Sequence, residues 1–470
     1  MVDHTLRLIK ALRLSDSPKL ALIGAGGKTT AMFRLAVEIL EHRHKTNQIP
    51  TVILYSPFRL LPVHARLADL HLKAEEESDI PPLYRKPPPG IIALTEITNN
   101  HNQTKLKKSS IIDKIYALVE KYQLPFFLEL DTSNQRTVKA LLEYEENIPS
   151  WVDLTIIMAG LQAIGKPIDT KWVYKPDIVA ELCKQPVGSI ITENTLAKIL
   201  NHPKDNPTHF TGQPRRICLL NQADNKQLLE VSKRISKNIL AKYDAVISAS
   251  LMPDLRKSIL IPHQDEVKYV HEATAGIILA AGSANRMGAL KQTLPINGIP
   301  SIKIVADTAI NSGLSPVIVV TGAENSSVEQ HISDMNVKIV FNPDWKNGMS
   351  TSVKTAINSL PPETGSAVFM LCDQPLISVS LITKIVETRS KTMAPIIAPY
   401  SDGVRGNPIL FGRTTFKDLL IITGDIGGKA IFSKYPIQKI TWEDQSSFFD
   451  MDTPEDYKKI KSIAGKKNKL

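Results

Sequence analysis

Two stretches of this chain share one local design, in which a short apolar run passes directly into a loop of glycine and other small residues. Leu20-Ala21-Leu22-Ile23 leads into Gly24-Ala25-Gly26-Gly27-Lys28-Thr29-Thr30, and Gly276-Ile277-Ile278-Leu279 leads into Ala280-Ala281-Gly282. A buried strand, a tight loop and a helix in that order open a βαβ unit. Two such openings in a chain of 470 residues predict two α/β domains, because one hydrophobic core rarely serves that length. We place the boundary near residues 265–274, giving domains 1–265 and 275–470.

The pattern between the two loops supports this division. Apolar runs at 51–55, 126–130, 154–158, 217–220 and 245–248 read as buried strands, with helical stretches such as 227–241 interposed. In the second half, 316–320, 337–341, 367–371 and 395–398 read as strands, and 302–311, 350–360 and 381–389 as helices. The expected fold class is α/β, with two Rossmann-like three-layer domains built on mostly parallel sheets. The proline-rich stretch 81–90 cannot form regular helix and reads as a surface loop.

Composition narrows the class further. Hydrophobic residues make up 43%, enough for packed cores, yet no apolar run reaches the ~20 residues that cross a bilayer. Acidic Asp3 precedes an amphipathic start, which is not a signal-peptide layout. Cys183, Cys218 and Cys372 are scattered and form no metal-ligand spacing, so a reducing cytoplasmic setting is expected, without a membrane partner. The net charge of +10 suits anionic ligands, but part of it lies in a basic tail with no interleaved aromatic residues, so no nucleic-acid partner is expected.

The most informative motif is Leu279-Ala280-Ala281-Gly282-Ser283-Ala284-Asn285-Arg286-Met287-Gly288-Ala289-Leu290-Lys291. Small residues let backbone N–H groups approach phosphate oxygens, while Arg286 and Lys291 supply positive charge to a triphosphate. Asp373, in Leu371-Cys372-Asp373-Gln374-Pro375, stands just past a buried strand, where open α/β sheets bind ligands. Asp450 and Asp452 alternate to one side of an extended segment, Phe449-Asp450-Met451-Asp452-Thr453-Pro454.

These motifs resemble the signature of the nucleotidyltransferase group that includes molybdenum cofactor cytidylyltransferases, the guanylyltransferases of the same pathway, and isoprenoid and sugar cytidylyl- or uridylyltransferases. The resemblance covers residues 275–460 and implies a nucleotide-diphospho-sugar-transferase fold. It implies nucleotide binding by Leu279, Ala280, Ala281, Gly282, Arg286, Lys291, Gly348 and Asp373, with Arg286, Lys291 and Asp373 catalytic. Asp373 and Asp452 would hold Mg2+. The segments 342–352, 405–408 and 424–428 would surround the base and the acceptor phosphate. The Ala280-Ala281 pair resembles cytidylyl members, whereas guanylyl members carry glycines. The implied reaction transfers CMP from CTP to the terminal phosphate of molybdopterin molybdenum cofactor. A molybdenum hydroxylase apoenzyme is a further partner on this reading. The alternatives are a guanylyl- or other cytidylyltransferase on the same fold, or a non-catalytic cofactor carrier.

In the first half, Gly24, Gly26, Gly27, Lys28 and Thr29 have the context of a phosphate-binding loop, although Leu22 stands where the full motif has its first glycine. This half resembles a family described as selenium-dependent hydroxylase accessory proteins, through that loop, Phe127-Leu128-Glu129-Leu130-Asp131 and residues 160–169. Asn221-Gln222-Ala223-Asp224 stands in the place of a guanine-reading Asn-Lys-x-Asp, but Gln222 replaces the lysine, so this half is not read as a GTPase.

Overall fold

The computed structural model describes residues 6–58, 60, 62–73, 79, 87–95, 110–140, 148–201, 214–251, 267–282 and 290–467. Within it the chain divides into two compact units, Met1–His271 and Glu272–Leu470.

The first unit is built on strands β1 (Lys19–Gly24), β2 (Thr51–Ser56), β3 (Leu70–Lys73), β4 (Gly90–Thr95), β5 (Phe126–Glu129), β6 (Val138–Lys139), β7 (Leu154–Gly160), β8 (Val173–Tyr174), β9 (Arg215–Asn221), β10 (Ala245–Ala249) and β11 (Val267–His271). Nine of these form one sheet in the order β11-β10-β9-β7-β1-β5-β2-β4-β3. Every pairing in it is parallel except that of β10 with the edge strand β11. That last strand carries the unit to His271, beyond the expected end at 265, because its pairing belongs to the first sheet. The central strand β1 is buried on both sides, as parallel strands between helices must be. Ala21 and Ile23 share a cluster with Ile115 and Val119 of the helix Ser110–Tyr122 and with Ile235 of the helix Lys226–Ile239.

The second unit contains β12 (Thr274–Ala280), β13 (Pro295–Ile296), β14 (Ile299–Pro300), β15 (Val317–Thr321), β16 (Lys338–Phe341), β17 (Ser366–Leu371), β18 (Ile396–Ser401), β19 (Val404–Arg405), β20 (Ile409–Gly412) and β21 (Ile437–Thr441). Its main sheet runs β16-β15-β12-β17-β20-β18-β19, with β21 paired to β18. β16, β15, β12 and β17 are parallel neighbours, whereas β20 is antiparallel to both β17 and β18. Three layers follow from the alternation along β12. Ile278 and Ala280 pack against the helices Ser301–Asn311 and Val379–Thr392, while Ala275 and Ile277 pack against the helix Met349–Asn358. A buried ion pair, Arg389 Nε to Glu272 Oε1 at 2.8 Å, fixes the entry to β12.

Among the described residues no helix is long and apolar enough to cross a membrane. All three cysteines are buried free thiols. The proline-rich loop lies for the most part, at residues 81–86, outside the described residues, as do Arg286 and the rest of 283–289.

Candidate active site

In the second unit the chain starts at β12, moves outward to β15 and β16, and returns to β17 on the other side of β12. The carboxyl ends of β12 and β17 therefore flank a topological switch point, where a crevice opens in open α/β sheets. Leu279 pairs with Leu371, so Ala280, the last residue of β12, and Ala281 and Gly282 beyond it lie level with Cys372 and Asp373. Cys372 N–H donates to the Leu279 carbonyl at 3.4 Å.

Buried hydrogen bonds fix both turns. Gln292, in the 3-10 turn Lys291–Thr293, donates through Nε2 to the carbonyls of Ala280 (3.2 Å) and Gly282 (2.8 Å). Ser301 Oγ donates to the Cys372 carbonyl at 2.6 Å, holding the turn that carries Asp373. The closing segment is tied to the same turn, since Met451 N–H donates to the Asp373 carbonyl at 3.0 Å. Met451 points into an apolar cluster with Ile296 and Ile460, so the alternation places Asp450 and Asp452 on the opposite side.

The structure thus brings Lys291, Asp373 and Asp452 together. Lys291 Nζ lies 3.9 Å from Asp373 Oδ2 and donates a short hydrogen bond to Asp452 Oδ1. Asp450 accepts a hydrogen bond from Gln374 Nε2 at 2.8 Å. Burial, with Asp450 and Asp452 adding repulsion, pushes the Asp373 carboxyl up to about 6 against the pull of Lys291. Burial raises Asp450 as well, with Asp452 adding to it and the Gln374 hydrogen bond opposing. Asp450 and Asp452 also line a cavity of about 310 Å3 with Phe448, Phe449 and Lys459.

The donor set suits a hard cation, because every candidate ligand is a carboxylate oxygen. Among the described residues no three His, Cys, Asp or Glu side chains come together to hold a metal by themselves.

Two of the expected contributors, Ala280 and Gly348, are tied tightly into the fold. Ala280 is fully buried, within the core cluster that includes Ile278 and Ile302, and Ala281 is 7% exposed. Gly348 (φ +101°) serves backbone packing, because a Cβ there would lie 2.7 Å from the Gly424 carbonyl. This contact joins segments 342–352 and 424–428, with Ser350 N–H donating to the Gly424 carbonyl at 3.2 Å and Met349 N–H to Asp425 Oδ1 at 3.1 Å. The sequence reading missed Gln292, Ser301 and the hydrogen bond made by Gln374. A buried polar residue beside each strand end was the available signal.

In the first unit, Gly24, Gly26 and Gly27 all have positive φ, and a Cβ on Gly26 would lie 2.4 Å from Gly160 N. Lys28 turns inward, donating to the Gly24 carbonyl at 2.7 Å and lying 3.2 Å from Asp131 Oδ1. Thr29 Oγ1 faces the Glu129 carboxylate at 3.3 and 3.4 Å. Lys139 Nζ is 3.0 Å from Asp131 Oδ2, and burial pushes this lysine down to about 8. Burial raises Glu129, with Lys28 opposing.

The model described as MobA-like NTP transferase domain matches residues 276–440, and the model described as YqeC protein matches residues 20–177. A protein named molybdenum cofactor guanylyltransferase from Serratia proteamaculans (strain 568) is 30% identical over 147 residues, 30% of this chain and 68% of that protein. The chain belongs to the MobA-like NTP transferase family. Its MobA-like unit is a nucleotidyltransferase. A protein named molybdenum cofactor cytidylyltransferase from Escherichia coli (strain K12) is 28% identical over 185 residues, 38% of this chain and 92% of that protein. Purine catabolism protein PucB of Bacillus subtilis (strain 168) is 26% identical over 197 residues, 40% of this chain and 95% of that protein.

Proposed function

We propose that the MobA-like unit transfers CMP from CTP to the terminal phosphate of molybdopterin molybdenum cofactor, releasing pyrophosphate. The observation that carries this reading is the convergence of Asp373, Asp452 and Lys291 at the open ends of β12 and β17. Similarity to a protein named molybdenum cofactor cytidylyltransferase over 92% of its length supports the substrate pair.

The acceptor is a phosphate monoester with a second pKa near 6, already an oxyanion at neutral pH, so no general base is required. The barrier is repulsion between two polyanions. A magnesium ion held by Asp373 and Asp452 would supply charge neutralisation at the triphosphate. The Lys291 ammonium sits against both of these carboxylates, where it would direct its own positive charge toward phosphate oxygens. Gln292 keeps the Ala280–Gly282 turn in place, so that its backbone can face the α-phosphate without rearranging. Arg286, outside the described residues, is proposed to share the triphosphate charge.

A guanylyltransferase is the second reading, favoured by the 30% identity to a protein of that name. Pyrophosphate release from CTP and from GTP, each with molybdenum-loaded molybdopterin and Mg2+, separates the two. Release from CTP alone supports the proposal, release from GTP alone replaces it, and release from neither returns the unit to a carrier role.

A further inference from the structure

The first unit carries a cluster of chemistry that nucleotidyl transfer in the second unit does not use. Four charged side chains, Lys28, Glu129, Asp131 and Lys139, lie buried under the loop that follows β1. Asp131 Oδ1 is among the buried atoms that accept no hydrogen bond, although Lys28 Nζ is 3.2 Å away. Above them the helix Lys28–Lys45 begins without a side-chain cap. Among the described residues no protein group accepts from the N–H groups of residues 27–30.

The neighbouring strands continue this edge in one direction. Along β1, β7, β9 and β10 all pairings are parallel, so their carboxyl-end loops lie side by side. From β1 to β9 is about 10 Å at ~4.8 Å per strand, a span that a nucleoside diphosphate can cover. Asn221, ending β9, bridges the two regions: Nδ2 donates to the Gly26 carbonyl at 2.8 Å, and Oδ1 accepts from Leu251 N–H at 2.9 Å. Three residues on, the exposed Asp224 carboxylate is oriented by the Gln162 amide, 3.0 Å from Oδ2, and by the Ser250 hydroxyl on Oδ1. A carboxylate has about four lone-pair sites, so each oxygen retains one for a ligand. Neither Asn221 nor Asp224 depends on Gln222, whose side chain packs over Gly160.

An ionised carboxylate only accepts hydrogen bonds. Guanine is the base with two adjacent donors, N1–H and N2–H2; adenine and cytosine present a donor beside an acceptor, and uracil a donor between two acceptors. We propose that the first unit holds a second nucleotide site, which takes a guanine nucleotide with its phosphates over residues 27–30 and its base edge on Asp224. Thr29 and Glu129 form an oxygen pair suited to its magnesium ion.

The test is calorimetric titration of the full chain with GDP, ADP and xanthosine diphosphate in the presence of Mg2+. GDP should bind about tenfold or more tightly than ADP, the discrimination expected of a bidentate base contact. Asp224→Asn should weaken GDP by a similar factor and improve xanthosine diphosphate, since an amide offers the donor and acceptor that xanthine requires. Asp224 is exposed, so the exchange leaves the core intact, and the gained ligand is a positive readout of a folded site. Asp373→Ala should leave GDP binding unchanged. The proposal is overturned if GDP binds no better than ADP, if Asp224→Asn keeps its GDP affinity, or if Asp373→Ala removes it.

Discussion

Replacing Asp373 by asparagine should stop turnover and, at neutral pH, stabilise the second unit. The carboxyl is raised from 3.8 to about 6, with burial the largest cause. A shift of about two units corresponds to ~3 kcal/mol disfavouring ionisation in the folded state. Since 24% of the side chain is exposed, solvent screening reduces the expected effect to ~1–2 kcal/mol. The sign follows from the raised value: the penalty is absent below about pH 4, grows as pH rises through about 6, and is complete above it. Asparagine has no such titration. The stability difference between variant and parent should therefore shift by ~1–2 kcal/mol in favour of the variant between pH 4 and pH 8. Urea unfolding at a series of pH values, with amide exchange in β17 as the local reporter, measures this directly. Mg2+ should stabilise the parent and not the variant, because only a ligand bound to the folded state shifts the equilibrium. A pH-independent difference, or a variant less stable at pH 8 than at pH 4 relative to the parent, would refute the account of a carboxylate held for a cation.

Two further substitutions test the framework. Gln292→Ala removes both hydrogen bonds that hold the Ala280 and Gly282 carbonyls, so it should cost about 1–3 kcal/mol in stability and raise KM for the nucleoside triphosphate; an unchanged KM would exclude a positioning role. Gly26→Ala forces a side chain onto a φ of +84° and against Gly160 N, and should destabilise the first unit by about 3 kcal/mol in denaturant unfolding. Tolerance of that change would mean that the loop relaxes readily and is not rigidly held.

Local pattern gave the parallel strands and their helices, because apolar runs and glycine loops obey short-range rules. The expected helix 302–311 forms as Ser301–Asn311, and the expected strand 154–158 forms within β7. The antiparallel insertion of β20 between β17 and β18 and the edge strand β11 were not legible, since pairing direction depends on where a distant partner lies. The site divides in the same way. Lys291, Asp373 and Asp452 stand beside strand ends in the sequence, whereas the pairing of Asp450 with Gln374 and of Asp452 with Lys291 depends on the fold.

Sequence by itself determined which segments become strands, which strands run into loops of small residues, and which acids stand near the open edge of a sheet, all of which follow from spacing along the chain. Only tertiary structure decided that Ala280 belongs to the core, that Gly348 packs against Gly424, and that Asn221 clamps the loop of Gly26 beside Asp224. These are contacts between residues far apart in the chain, and their partners are chosen by the packing of whole sheets and helices, which no local pattern encodes.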